Sequence, residues 1–173
     1  MKKILSILLA IVVLATFAFF AIGSSDDSSA SVSQGDGSAT GDSATPSGNV
    51  TVKVGDVLKT SNLEITYNAS GEYTGYSQYL APADGNKIIY IDLGAKNIGE
   101  SDAYISYFDF NCYADDVAVE AYYGTDDGIS ATLSAGRSTT GKVYFEVPKD
   151  AAVIEIEYET DFWDDQKAVF VVE

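Results

Sequence analysis

The chain has 173 residues, of which 46% are hydrophobic, and it carries 26 acidic against 10 basic residues, a net charge of −16. So large an excess of carboxylates excludes the basic surface that nucleic acids and anionic membranes require. The absence of histidine excludes Ser-His-Asp and Cys-His catalysis and histidine-bound zinc, and the single cysteine, Cys112, excludes an intrachain disulfide.

Composition divides the chain into an apolar segment at 1–23, a polar linker at 24–49 and a globular part at 50–173. The linker holds nine serines, four glycines and four aspartates, with Val32 as its only large aliphatic side chain. It cannot bury enough apolar surface to offset the entropy of ordering, so we expect a disordered stalk. The globular part is long enough to fold round one core.

The apolar run at 4–22 follows Lys2 and Lys3 and predicts an export helix whose amino end stays in the cytoplasm. Two outcomes are open for this helix. At about 28 Å it would span the bilayer core and remain as an anchor. The small residues that end at Gly23 also suit a signal peptidase, which would release the chain. A lipoprotein needs an acceptor cysteine just after the apolar run, and Cys112 lies far downstream, which excludes a lipoprotein. Either outcome places 24–173 outside the cell.

Beyond the linker, apolar and polar residues alternate with the period of two that is typical of half-buried strands. Strands are expected at 50–54, 63–68, 87–97, 104–113, 117–123, 129–133, 141–147, 154–159 and 168–172. Turns marked by glycine or aspartate separate them, and no helical apolar period occurs after the export segment. This pattern predicts an all-β fold, an antiparallel β-sandwich.

The strand at 141–147 shows the alternation most clearly. One face carries Gly141, Val143, Phe145 and Val147, and the other carries Lys142, Tyr144 and Glu146. The first face is predicted to point into the core and the second away from it. Pro148 has no N–H to donate to a neighbouring strand, so we expect the strand to end there.

Two segments carry a resemblance to a protein family. The first, 82–87, leads into the strand that ends in Asn97-Ile98-Gly99, and the second, 133–150, contains Leu-x-x-Gly and then Gly-x-Val-x-Phe-x-Val-Pro. Over roughly 55–172 the chain resembles a family of immunoglobulin-like domains of unknown function in secreted proteins and lipoproteins of Gram-positive bacteria. That family is similar in fold to the mycobacterial immunoprotective extracellular antigen. The resemblance implies an immunoglobulin-like sandwich and brings no catalytic residue, and the family's lipobox cysteine is missing here.

Three tyrosines, Tyr73, Tyr76 and Tyr79, recur at every third residue in a segment at 69–86 where strand alternation is lost. Tyrosine combines apolar area with a polar tip, which suits an aromatic platform for a glycan or a protein partner. The other interpretation is that these side chains only seal an edge of the sandwich.

Aspartates cluster in two predicted turns, with Asp126 and Asp127 in one and Asp161, Asp164 and Asp165 in the other. Oxygen-rich loops at the end of a sandwich can bind calcium, which takes roughly six to eight oxygen ligands. These five residues are the candidate calcium ligands, and no other cofactor is expected. The alternative is a solvated surface of mutually repelling charges.

Cys112 alternates with Phe108 and Phe110, which predicts a buried apolar side chain rather than a reactive thiol. A paired-acid hydrolase is a remote alternative, since it needs two acids held across a cleft. We expect a non-catalytic extracellular domain that binds a surface protein or a cell-wall glycan and contacts the membrane only through 4–22. The other candidate is a structural or solute-binding envelope module with calcium-stiffened loops.

Overall fold

The computed structural model describes residues 31–33, 49–159 and 166–172. The predicted export helix and its cleavage position lie outside these ranges, as do Asp161, Asp164 and Asp165. No helix within the described ranges is long and apolar enough to cross a membrane.

Strands make up nearly all of the regular structure in the described ranges. They are β1 (Ser31–Ser33), β2 (Val50–Val52), β3 (Val57–Lys59), β4 (Leu63–Tyr73), β5 (Asn86–Asn97), β6 (Ala103–Ser106), β7 (Phe110–Ala114), β8 (Val117–Val119), β9 (Ser130–Leu133), β10 (Ser138–Pro148), β11 (Ile154–Glu159) and β12 (Lys167–Val171). A three-residue 3₁₀ turn, Tyr107–Asp109, separates β6 from β7.

Ten of these strands form two five-stranded sheets. The first sheet has the order β1-β3-β4-β5-β10, the second has the order β2-β12-β11-β7-β8, and β6 pairs with β9 as a separate ribbon. Neighbouring strands are antiparallel except β2 and β12, which are parallel.

The two sheets pack face to face around one core. Tyr67 of β4 meets Phe170 of β12 edge-on, with ring centroids 5.4 Å apart, and its hydroxyl donates to the carbonyl oxygen of Val171 at 3.1 Å. Buried side chains from both sheets belong to the same apolar cluster. The all-β sandwich is therefore confirmed, whereas the immunoglobulin-like topology stays a prediction.

The inner face of β10 is confirmed, but its outer face is not open. Val143, Phe145 and Val147 are buried in the core as predicted. Tyr144 points the other way and is nevertheless only 4% exposed. The rings of Tyr73 and Tyr90 lie against it, with centroids 5.2 and 6.0 Å away. Alternation along one strand predicts a side chain's direction and cannot show what covers it.

The strand predicted at 117–123 ends early, at Val119. Residues 120–129, which we call the covering segment, then cross to the free edge of β10. The backbone N–H of Tyr122 donates to the Tyr144 carbonyl at 2.9 Å, and that of Ile129 donates to the Lys142 carbonyl at 2.9 Å. These bonds occupy backbone groups that an edge strand would otherwise leave unpaired.

The strand predicted at 104–113 is interrupted by the 3₁₀ turn. The Ser106 hydroxyl accepts from the Phe108 N–H at 3.2 Å, and the Asp109 carboxylate accepts from the Ser106 N–H at 2.7 Å. This capping box starts the turn and breaks the alternation. Phe108, predicted to share a face with Phe110 and Cys112, is therefore 67% exposed. Phe110 and Cys112 are buried, which confirms that the side chain of Cys112 lies in the core.

The Asn-x-Gly motif at the end of β5 has a clear structural role. Asn97 is fully buried, and its amide donates to the carbonyls of Leu133 at 2.6 Å and Ser101 at 2.7 Å. Its side-chain oxygen accepts from the Gly99 N–H at 2.8 Å. One side chain therefore ties the turn after β5 to β9.

Three linker residues are ordered, contrary to the prediction of a disordered stalk over the whole of 24–49. Ser31–Ser33 forms β1 and pairs with β3 at the edge of the first sheet. Val32 packs against the core. Backbone hydrogen bonds to an existing edge strand stabilise a segment that composition alone predicts to be disordered.

Candidate functional site

Five tyrosines gather on the outer face of the first sheet, next to the covering segment. We call Tyr73, Tyr76, Tyr90, Tyr122 and Tyr144 the tyrosine cluster. Besides the contacts of Tyr144 given above, the Tyr73 ring lies 6.2 Å from that of Tyr122 and 6.3 Å from that of Tyr76. These centroid distances are those of interacting aromatic pairs.

Strand pairing brings three of these rings together. Tyr90 of β5 stands directly opposite Tyr144 of β10, and Tyr73 ends β4 on the other side of β5. Side chains that face the same way on paired strands lie within contact distance of one another. The covering segment adds Tyr122, whose hydroxyl donates to the Leu80 carbonyl at 3.0 Å.

Two of the cluster's rings fold back over a glycine two residues later. A Cβ atom at Gly75 would lie 2.9 Å from the ring of Tyr73, and one at Gly124 would overlap the hydroxyl of Tyr122. The sequence therefore contains the same Tyr-x-Gly arrangement twice, at 73–75 and 122–124. In both places the missing side chain leaves the space that the ring occupies.

A second aromatic group includes Tyr123 of the covering segment. The rings of Tyr107 and Phe108 are 4.3 Å apart, and Tyr123 lies 5.8 Å from Tyr107 and 6.0 Å from Phe108. Tyr123 is 63% exposed, so this group reaches the protein surface.

Two hollows are bordered by the covering segment. The tyrosine groove, about 540 Å³, is bordered by Tyr73 and Leu80. The inner cavity, about 160 Å³, is bordered by Tyr107, Lys142 and Tyr144. Both hollows are also lined by Ala121, Tyr122, Tyr123, Thr125 and Asp126. The covering segment therefore forms a wall common to the two.

An ion pair and a tyrosine hydroxyl join β10, at the edge of the inner cavity, to Asp127 of the covering segment. The ammonium of Lys142 lies 2.8 Å from the Asp127 carboxylate, and the Tyr144 hydroxyl donates to the same carboxylate at 2.8 and 3.0 Å. The Lys142 ammonium also lies over the Tyr90 ring, 5.5 Å from its centroid, in a cation–π contact.

This network changes the acidity of its members. Burial alone would raise the pKa of the Asp127 carboxyl, but the hydrogen bonds from Lys142 and Tyr144 outweigh it and lower that pKa. The hydrogen bond from Lys142 to Asp127 raises the pKa of Lys142. Burial, together with the hydrogen bond that Tyr144 donates to Asp127, raises the pKa of Tyr144. At neutral pH the three groups are therefore an ammonium, a carboxylate and a neutral phenol.

The structure brings together two of the three tyrosines predicted as a platform. Tyr73 and Tyr76 belong to the tyrosine cluster, whereas Tyr79 is 87% exposed and has no ring contact within the described part of the chain. Sequence reasoning missed Tyr90, Tyr122 and Tyr144, which come from distant parts of the chain. The repeated Tyr-x-Gly arrangement was the signal that could have found Tyr122.

Of the five predicted calcium ligands, only Asp126 and Asp127 lie within the described ranges. Asp126 lines both hollows, and Asp127 is held by Lys142 and Tyr144. Asp161, Asp164 and Asp165 lie outside the described ranges. The described residues contain no group of three or more acidic, cysteine or histidine side chains placed to hold a metal ion. Calcium binding stays a prediction.

Comparison with known proteins identifies the family and the fold. The family model described as domain of unknown function (DUF4352) matches residues 52–168. The search of curated proteins finds no match.

Three solved structures illustrate the shared fold. The chain is 17% identical to the yjhA protein from Bacillus subtilis, with a TM-score of 0.55 over 70% of this chain and 98% of that one. It is 16% identical to the secreted protein MPT63 from Mycobacterium tuberculosis, with a TM-score of 0.52 over 71% and 97%. The third is the candidate lipoprotein ycdA from Bacillus subtilis, at 17% identity and a TM-score of 0.55, over 65% of this chain and only 36% of that one.

Proposed function

Because the chain belongs to the DUF4352 family of domains of unknown function, we propose its function from its own geometry: a non-catalytic extracellular domain that binds a surface protein or a cell-wall glycan through the tyrosine groove. The observation that carries this proposal is the tyrosine cluster beside a groove of about 540 Å³. Tyrosine gives a large contact area at a low cost in side-chain entropy, and tyrosines are enriched where partners bind.

The construction of the groove supports a binding role over a purely structural one. Tyr144 packs beneath Tyr73 and Tyr122, so the upper rings rest on a buried support. The glycines after Tyr73 and Tyr122 leave space for those rings. Aromatic side chains held in this way lose little freedom when a partner binds.

Placement outside the cell is supported by the apolar run at 4–22 and its flanking lysines, which predict export. Loss of that segment with Lys2 and Lys3 would leave 8 basic and 26 acidic residues, a net charge of −18. Such a charge repels anionic polymers and favours a neutral glycan or a protein with a basic surface.

The test measures binding of the full chain to isolated cell walls and to intact cells of the kind that produce it. The walls and cells are used with and without prior protease treatment. Tyr73→Ala and Tyr122→Ala are expected to weaken binding by at least about 10-fold, as loss of central aromatic anchors does. Tyr104→Ala is the matched control, because Tyr104 is 57% exposed and lines neither hollow. Circular dichroism should show that all variants remain folded.

Protease treatment separates the two partner classes, since only a protein receptor is destroyed by it. Binding that is unchanged in both groove variants, or reduced equally by Tyr104→Ala, would contradict the proposal.

A further inference from the structure

We propose that the inner cavity binds a quaternary ammonium group carried by a small soluble molecule such as choline. It goes beyond the proposed function and shares with it only the covering segment, which lines both hollows. Three properties of the cavity lead to this ligand: its size, the chemistry of its lining and its charge.

The size of the cavity favours a compact group. At about 160 Å³ it is smaller than the roughly 300 Å³ at which sites for drug-sized ligands begin. A tetrahedral trimethylammonium group is compact, whereas an oligosaccharide or a peptide segment would extend into the larger tyrosine groove.

The lining of the cavity includes four aromatic side chains, and two of their four hydroxyls already donate hydrogen bonds within the protein. Four tyrosines, Tyr107, Tyr122, Tyr123 and Tyr144, border it. The hydroxyl of Tyr122 donates to Leu80 and that of Tyr144 donates to Asp127. A sugar needs partners for its hydroxyls, whereas a quaternary ammonium has no N–H and is held by the negative faces of aromatic rings.

The charges at the cavity favour a cation. Lys142 also lines it, but its ammonium is paired with Asp127 at 2.8 Å. Asp126 is the one acid in the lining, and Asp127, which lies outside the lining, neutralises Lys142, so the charge of Asp126 is left without a paired base among the described residues. The chain as a whole, at −16, also attracts cations.

The experiment is a calorimetric titration of the full chain with choline chloride, in a polyoxyethylene detergent that carries neither a cation nor a sugar. The control ligand is 3,3-dimethylbutan-1-ol, which has the shape of choline with carbon in place of the charged nitrogen. We expect saturable one-to-one binding of choline and at least about 10-fold weaker binding of the alcohol, with sodium chloride matched throughout.

Two variants test the location. Tyr123→Ala should weaken choline binding by about 3- to 30-fold, the range that one cation–π contact contributes. Tyr123 is largely exposed, so the fold should be retained. Asp126→Asn keeps the shape of the cavity and removes one charge, and it should weaken choline binding without affecting the alcohol. Tyr104→Ala should leave choline binding unchanged.

Equal affinity for choline and the alcohol, no saturable binding of choline, or binding only to phosphatidylcholine vesicles would each overturn this proposal. Displacement of choline by a chitin oligosaccharide that binds more tightly would overturn it in favour of a sugar site. If choline fails to bind while cell-wall binding still depends on Tyr122, only this inference fails. If choline binds as expected but the groove variants leave cell-surface binding intact, only the proposed function fails.

Discussion

Two neighbouring residues of β10 pack against different parts of the molecule. Phe145 points into the core between the sheets, and Tyr144 points outward under the tyrosine cluster, with its hydroxyl on Asp127. Both side chains are buried, so a substitution at either position removes packing. The core and the candidate site are therefore joined at adjacent positions of one strand, and the rigid core supports the site.

Phe145→Ala should lower the free energy of unfolding by about 3 to 5 kcal/mol, because it leaves a cavity where a fully packed ring had been. Denaturant titration of the two proteins measures the difference. Phe108→Ala removes the same atoms from an exposed ring and should cost less than about 1 kcal/mol. Equal losses would mean that Phe145 does not lie in the core.

Cys112 should be chemically inert in the native protein. It is 2% exposed, and burial raises the pKa of its thiol to about 12, so the reactive thiolate is scarce at pH 8. Iodoacetamide should modify it only after unfolding in guanidinium, as mass spectrometry would show. Modification at the same rate in native and unfolded protein would contradict the buried position.

The same shift makes stability depend on pH. Because the pKa of the thiol is higher in the folded state than its ordinary value of 9.0, the unfolded chain ionises first as pH rises. The contribution of Cys112 to stability is therefore complete below about pH 9 and is lost progressively as pH rises toward 12.

At the scale of elements, the hairpin of β7 and β8 turns on two residues with left-handed backbone. Asp115 has φ of 49° and Asp116 has φ of 66°, as a two-residue type I′ turn requires. Asp115 also has a tertiary role, because its carboxylate accepts the N–H groups of Ala152 at 3.1 Å and Val153 at 2.9 Å. The two residues share a conformation but differ in what their side chains do.

Asp116→Gly should raise the free energy of unfolding by about 0.5 to 1 kcal/mol, because glycine adopts a positive φ without steric cost. Asp115→Gly should instead lower it, since two backbone N–H groups would lose their acceptor. Thermal and denaturant unfolding of both variants would check the contrast. Stabilisation of both variants to the same extent would show that the Asp115 hydrogen bonds contribute nothing.

At the scale of the whole molecule, a net charge of −16 opposes folding, because the compact state brings carboxylates together. Calcium bound by the predicted ligands would relieve this repulsion and, at a hundred times its dissociation constant, would add about 2.7 kcal/mol of stability. We therefore predict a larger rise in melting temperature in calcium chloride than in magnesium or sodium chloride of equal ionic strength.

The double variant Asp126→Asn/Asp127→Asn should reduce the calcium-dependent part of that rise. The absolute melting temperature is a poor guide here, because loss of Asp127 also breaks its ion pair with Lys142. An equal rise in all three salts would mean general screening of charge and no calcium site.

The sequence by itself determined the local features of this protein. The period of two predicted strands at β4, β5, β10 and β11, and the missing N–H of Pro148 predicted the end of β10, which the structure confirms. The family motifs around Asn97 and along β10 identified the family. These features depend on bonds and faces within a few residues of each other, so the local sequence is sufficient to predict them.

Only the tertiary structure decided where the candidate site lies. Tyr73, Tyr90 and Tyr144 belong to three different strands, and Tyr122 belongs to the covering segment. The rings of Tyr73, Tyr90 and Tyr122 all contact that of Tyr144, because strand pairing and the covering segment bring them together. The period of two shows which residues share a side of one strand, but not which strands are neighbours or what covers their outer face. For the same reason Tyr144 was predicted on the correct face but not as a buried residue, and Ser31–Ser33 was predicted as disordered. Contacts between distant segments depend on the pairing of backbones, and that pairing leaves no local periodicity in the sequence.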